Sequence, residues 1–221
     1  LKKAHIYYKE ENLERQARES LLLICQQINY MPDKVSYCQE AVEEFTKINN
    51  MKKMNLALSA LKTKKGTAED HLQYELLKSQ SLLKMGHIAK GTAVLKEALT
   101  KLKKYKLIEI KRSLRSNVHL AYAKALARQI ENKDITNTTT LNQTIHTKKE
   151  IEKHLQLSIG FAEKEVLPMI RYTWSHILYE LALKINRSSL LKNKLRHETY
   201  NRIYNQSVNL LKENISKMNA N

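Results

Sequence analysis

Apolar residues recur at three- and four-residue spacing along almost the whole chain, interrupted by short polar breaks, a pattern that predicts about nine helices. A first helix is expected from about Ala4 to Ile28, with Leu13, Ala17, Leu21, Ile24 and Ile28 down one side. Met31-Pro32-Asp33 should end it and leave Asp33 to cap a second helix bearing Val35, Cys38, Val42 and Phe45. After a break at Asn49-Asn50, a third helix from about Met51 to Lys64 presents Met54, Leu58 and Leu61 and should stop at Gly66. Thr67 to Asp70 is a restart. The fourth helix then places Leu72, Leu76, Ser79 and Leu83 on one face and reaches Met85-Gly86. The fifth follows at once with Ile88, Gly91, Leu95, Ala98 and Leu102, so the two must run antiparallel.

A sixth helix is expected over Leu107 to Ile130, carrying Leu114, Val118, Ala121 and Ala125. Glu131 to Thr147 contains Thr136-Asn137-Thr138-Thr139-Thr140 and reads as a mobile inter-helix loop. Ile151, Leu155, Ser158, Ile159 and Ala162 mark the next helix. Leu167-Pro168 opens another, with Ile170, Trp174, Ile177, Leu178, Leu181 and Ile185, and Trp174 needs a partner for its ring N–H. The last helix shows Tyr204, Val208, Leu211, Ile215 and Met218 as its inner stripe. The organisation expected is N-terminal helices over 1–66, helix pairs over 67–163 with the loop at 131–147, and C-terminal helices over 164–221.

Composition narrows the function classes. Four Gly and two Pro among 221 residues are too few for a turn-rich β fold, and the glycines stand too far apart to cradle a phosphate. The longest apolar run, Leu21 to Cys25, is far short of a bilayer span, and Lys2 and Lys3 are not followed by a signal-peptide core, so no membrane partner is expected. Leu1 in place of an initiator Met suggests a piece of a longer polypeptide. Cys25 and Cys38 match no zinc spacing and are expected as reduced, buried thiols in an intracellular, reducing compartment. The formal charge is +17, from 39 Lys and Arg against 22 Asp and Glu. The densest run is Lys101, Lys103, Lys104, Lys106, Lys111, Arg112 and Arg115, with a second at Arg187, Lys192, Lys194 and Arg196. Such runs bind nucleic acid or form a solvated rim; with Tyr105 the one aromatic in the first run, the rim is the preferred reading.

The most specific packing signal lies in the fourth and fifth helices. Ser79, Leu82, Gly86, Gly91, Leu95 and Ala98 form a pattern resembling a tetratricopeptide-type pair, in which small side chains let two backbones approach. An ordinary helical bundle is the alternative. Gly91 within a helix costs about 1 kcal/mol relative to Ala, so packing should require it. Ser79-Gln80 is also a serine–glutamine phosphorylation dipeptide, but the crossing needs Ser79 buried. His146 with His154, and His71 with His87, lack the i, i+4 spacing of metal ligands on a helix. Glu43-Glu44 and Glu69-Asp70 read as surface or first-turn charges. No catalytic, metal or cofactor-binding residue is assigned and no cofactor is expected in this segment.

The stretch from Phe45-Thr46-Lys47 to Lys101-Leu102 carries Ala57 and Leu61-Lys62, a polar link from Lys64 to Asp70, Leu72-Gln73-Tyr74-Glu75, Leu82-Leu83-Lys84 and Ala93-Val94-Leu95-Lys96. Leu120-Ala121-Tyr122-Ala123 and Ile151-Glu152-Lys153-His154-Leu155 come next, in order. This wording resembles the FAT region of phosphatidylinositol-3-kinase-related protein kinases, most closely the ataxia-telangiectasia-mutated type, over about half of the chain. The resemblance implies an all-α, right-handed, tetratricopeptide-like solenoid of antiparallel pairs that supports a kinase domain elsewhere in the polypeptide. It further implies a nuclear serine/threonine kinase that answers DNA double-strand breaks, with the parent a candidate homodimer and other proteins as partners. A free-standing helical-repeat adaptor and a basic nucleic-acid-binding solenoid are the alternatives.

Overall fold

The three- and four-residue periodicity is realised as ten α-helices, and no strand occurs among the described residues. A computed structural model describes residues 1–27, 31–61, 67–106, 109–188 and 193–219. The helices are α1 (Lys2–Glu10), α2 (Glu14–Gln27), α3 (Met31–Lys47), α4 (Met51–Leu61), α5 (Ala68–Lys84), α6 (Ile88–Lys104), α7 (Arg112–Glu131), α8 (Thr138–Phe161), α9 (Leu167–Arg187) and α10 (Asn193–Asn219). The chain is all-α, and successive helices pack as pairs in the manner of a solenoid. It divides into two compact units, Leu1–Lys101 and Leu102–Asn221, with the boundary inside the 67–163 block. Seventeen Lys and Arg against twelve Asp and Glu give the first unit +5; twenty-two against ten give the second +12.

In the first unit the long opening helix is broken. Asn12 adopts a left-handed φ of 55°, and α2 turns back so that the His5 ring donates through Nδ1 to Ala17 O at 3.0 Å. Asn tolerates this backbone because its short side chain competes for local hydrogen bonds. Leu13, expected on the inner stripe, lies at this corner and is exposed. Helix α3 begins at Met31, earlier than the expected start at Asp33; Ile28, the Asp33 cap and the Gly66 stop lie outside the described residues and side chains. The core is built by Leu21, Val42, Phe45, Met54 and Leu58, with Leu82 entering from α5.

The expectation of two free thiols is overturned. Cys25 on α2 and Cys38 on α3 are joined as a disulfide, both fully buried in this core. The thirteen-residue separation said nothing of the packing of α2 on α3, which brings their Cα atoms to 4.8 Å.

Helix α5 starts where expected, with Thr67 and Asp70 forming a reciprocal capping box. It ends at a left-handed Gly86, φ 82°, whose N–H donates to Leu83 O while His87 N–H donates to Leu82 O. This double bond pattern satisfies the last carbonyls and reverses the chain into α6.

In the second unit α7 is buried nearly all round, because α8 and α9 both pack on it. The Lys184 ammonium of α9 caps its C-terminus, donating to Ile130 O at 2.7 Å and Glu131 O at 2.6 Å. The mobile loop expected over 131–147 is not found as such. Only 132–137 link the helices, and α8 starts at Thr138 behind an Asn137–Thr140 capping box. Leu141 supplies the apolar anchor that the polar composition obscured, and Thr144 and Thr147 return their hydroxyls to Thr140 O and Gln143 O.

Pro168 sits in the first turn of α9, and Ile170, Leu178 and Ile185 form its fully buried line. Trp174 is buried beside them, and its indole N–H has no partner among the described residues. The stripe expected to be the inner face of α10 lies at the edge of the packed face, with Tyr204 and Val208 half-buried and its C-terminal part exposed. Leu211, Ile215 and Met218 are exposed, whereas Thr199, Ile203, Ser207 and Asn214 are buried against α9. Hydrogen bonding fixes this choice: Ser207 Oγ donates to Ser175 O at 2.7 Å and Asn214 Nδ2 to Pro168 O at 3.1 Å.

Candidate functional site

Small side chains sit where three helix pairs close. At the α5–α6 crossing Ser79, Leu95 and Ala98 have no solvent exposure and Leu82 almost none. Ser79 Oγ is retained by its own helix, donating to Leu76 O at 2.7 Å, which leaves Ser79-Gln80 no accessible hydroxyl to modify. A Cβ at Gly91 would stand 2.8 Å from Leu83 Cγ and 3.1 Å from Ser79 O, so a larger residue there requires Leu83 and the α5 backbone to shift. At the α7–α8 crossing Ser116 Oγ donates to Ser158 O at 2.9 Å, and Ser158 Oγ donates to Ser116 O at 3.0 Å. Ser175 and Ser207 form the third crossing, between α9 and α10.

Further along α7–α8 lies a group of titratable side chains. Partners step up α7 as they step down α8: Arg112 donates to Gly160 O, His119 meets His154, and Tyr122 Oη donates to Glu150 at 3.0 Å. His119 Nδ1 and His154 Nδ1 are 2.8 Å apart, so one imidazole must donate while the other accepts. Phe161 stacks on His119 and the Tyr122 ring meets His154 edge-on. Burial lowers the His119 pKa to about 4, helped by His154, Arg115 and Lys103. Burial lowers His154 as well, against the raising influence of Glu150 and with Lys153 and Lys103 in support. Tyr122 is pushed up to about 12, first by burial and then by its bond to the Glu150 carboxylate.

The His119–His154 pair is a neutral clasp with a defined pH response. Both histidines bind protons less readily folded than unfolded, so their stabilisation is complete above about pH 6.5 and is lost as the pH falls toward 4. The His119 shift corresponds to on the order of 3 kcal/mol, reduced to about 2 by solvent at the rings. Urea midpoints measured at pH 7 and 4.5 should fall accordingly, and His119→Gln should remove most of that fall while leaving the carboxylate-linked part.

The sequence singled out neither His119 nor the Ser116–Ser158 crossing. Testing an antiparallel register of Leu114–Ile130 against Ile151–Ala162 would have aligned them. Of the histidine pairs weighed from sequence, His146 and His154 are not joined, nor are His71 and His87; His154 pairs with His119 instead. Among the described residues no group of three or more His, Cys, Asp or Glu side chains is placed to hold a metal ion.

The basic run is divided by the fold. Lys101 forms an ion pair with Glu75 in the first unit. Arg115 is buried, donating to Lys106 O at 2.7 Å and lying 5.9 Å from the Phe161 ring centre, so it braces the link into α7 rather than facing a ligand. Lys103, Lys104, Lys106, Lys111 and Arg112 remain exposed. In the second run Arg187 is exposed, Arg196 donates to Ser188 O, and Lys192 and the Lys194 side chain lie outside the described residues and side chains.

No protein-family model, curated protein or solved structure matches the chain.

Proposed function

We propose that this chain is a non-catalytic helical-repeat scaffold, a FAT-like segment of a large serine/threonine kinase of the ataxia-telangiectasia-mutated type. Its partners on this reading are other segments of the same polypeptide, the kinase domain among them, and its place is the nucleus, in double-strand-break signalling. The observation that carries the scaffold reading is the recurrence of a small-residue crossing in three helix pairs, at Ser79–Gly91, Ser116–Ser158 and Ser175–Ser207. Pairs nested this closely transmit force through rigid rods, as a support requires. The kinase assignment draws on the order of motifs from Phe45 to Leu155. Sequencing the transcript beyond the codon for Asn221 tests it. A protein-kinase domain in the same frame supports the assignment; a stop codon directly after Asn221 overturns it.

A further inference from the structure

Helix α10 buries Thr199, Ile203, Ser207 and Asn214 and leaves large apolar residues exposed toward its C-terminus. Thr199, Ser207 and Asn214 pack against α9, while Leu211, Ile215 and Met218 face solvent at 38%, 51% and 57% exposure. On α9, Tyr172 and Tyr179 are likewise 59% and 40% exposed, with the His176 ring stacked on Tyr172 and Tyr204 of α10 beside Tyr179. These residues line one groove between the two helices, of about 270 Å³, continued by Ile215 and Met218. An amphipathic helix ordinarily turns its large apolar residues to the core; Leu211, Ile215 and Met218 instead form an exposed apolar stripe beside the half-buried Tyr204 and Val208, left for something else to cover.

We propose that this groove docks an acidic amphipathic helix. From Tyr204 to Met218 the stripe runs fourteen residues, about 21 Å or four helical turns. Both walls are helices whose backbone groups are already bonded, so an extended segment laid in the groove would find no ladder for its own N–H and C=O groups. A helix brings its backbone satisfied. Charge selects the sign. Residues 167–219 carry nine Lys and Arg against three Asp and Glu, and Lys212 stands exposed next to Leu211, while the neighbouring Glu213 is taken up by an ion pair with Lys217. A second copy of this chain would set those cations against their own kind, which disfavours a symmetric pair. The groove is complete within α9 and α10, so docking there is independent of the kinase assignment and of any sequence beyond Asn221.

The test uses the whole 221-residue chain and a fluorescein-labelled synthetic helix of about 18 residues, with Leu at i, i+3, i+4 and i+7 and Glu on both flanks. A matched peptide has every Glu replaced by Lys. By anisotropy the Glu peptide should bind with a micromolar Kd, and Leu211→Glu, Ile215→Glu and Lys212→Glu should each weaken it about tenfold or more. Leu157→Glu, an exposed position on α8, should leave binding unchanged. All four sites are on the surface, and circular dichroism checks that the variants stay folded. Equal or tighter binding of the Lys peptide, binding of the Glu peptide indifferent to the groove variants, or no binding of either peptide at about 100 μM overturns the proposal. So does a dimer in light scattering that Ile215→Glu converts to monomer, because the face would then belong to a second copy.

Discussion

Gly91→Leu should lower the unfolding free energy by about 3 kcal/mol, the upper range for forcing extra methylenes into a packed contact. The first added carbon would already lie 2.8 Å from Leu83 Cγ, 3.0 Å from Leu83 Cδ2 and 3.1 Å from Ser79 O. Leu83 can rotate, but the carbonyl belongs to α5 and moves only with its helix. The milder Gly91→Ala separates two opposing effects. Alanine gains about 1 kcal/mol in helix propensity. The crowding outweighs it, so a net loss of about 1 kcal/mol is expected. Adding Leu83→Ala should recover part of that loss, giving a double mutant more stable than the two single changes predict together. Denaturant titration of the five proteins, the parent, Gly91→Leu, Gly91→Ala, Leu83→Ala and the double mutant, reads all of this. A Gly91→Leu chain as stable as the parent would remove the α5–α6 crossing as a close approach.

Loss of the Cys25–Cys38 bond should cost about as much. A crosslink closing a loop of this length restricts the unfolded chain by about 3 kcal/mol in the loop-entropy account. Both sulfurs are fully buried in the Leu21–Phe45–Met54 core, so Cys25→Ala with Cys38→Ala also removes packed volume. Alkylating the denatured chain, purified without reductant, should find no free thiol, and adding dithiothreitol should lower the urea midpoint. Two free thiols before reduction would contradict the bond. The outcome bears on compartment too, since a nuclear chain would ordinarily hold this pair reduced. The redox state in the cell is therefore an independent check on the location proposed from the family resemblance.

Helix is legible in the sequence wherever an apolar stripe repeats at helical spacing, and the α5–α6 crossing is legible because glycine in mid-helix needs a reason. The Thr67–Asp70 restart and the Gly86 turn can be read from side-chain chemistry alone. The failures share a physical origin in tertiary partners. Asn12 breaks the first helix although the stripe runs through it, because the left-handed conformation of one residue leaves no periodic trace. The Thr-rich start of α8 reads as loop because its composition suits caps and turns, whereas Leu141 and the capping box commit it to helix. On α10 the buried line runs through Thr199, Ile203, Ser207 and Asn214, where hydrogen bonds from Ser207 and Asn214 to α9 do what apolar spacing would have assigned to Leu211 and Ile215. The His119–His154 clasp needs a register between two helices, which no single stripe contains.

The reciprocal serines of α7 and α8 also limit how such a strut can yield. Sliding one rod past the other by a single residue, about 1.5 Å, lengthens and weakens both hydroxyl-to-carbonyl bonds together, to roughly 3.3 Å for a slide across them. Displacement along the axis therefore meets a detent, whereas rotation about the Ser116–Ser158 point does not lengthen either bond at first order. A load passed into this pair emerges as a change of angle, with shear suppressed.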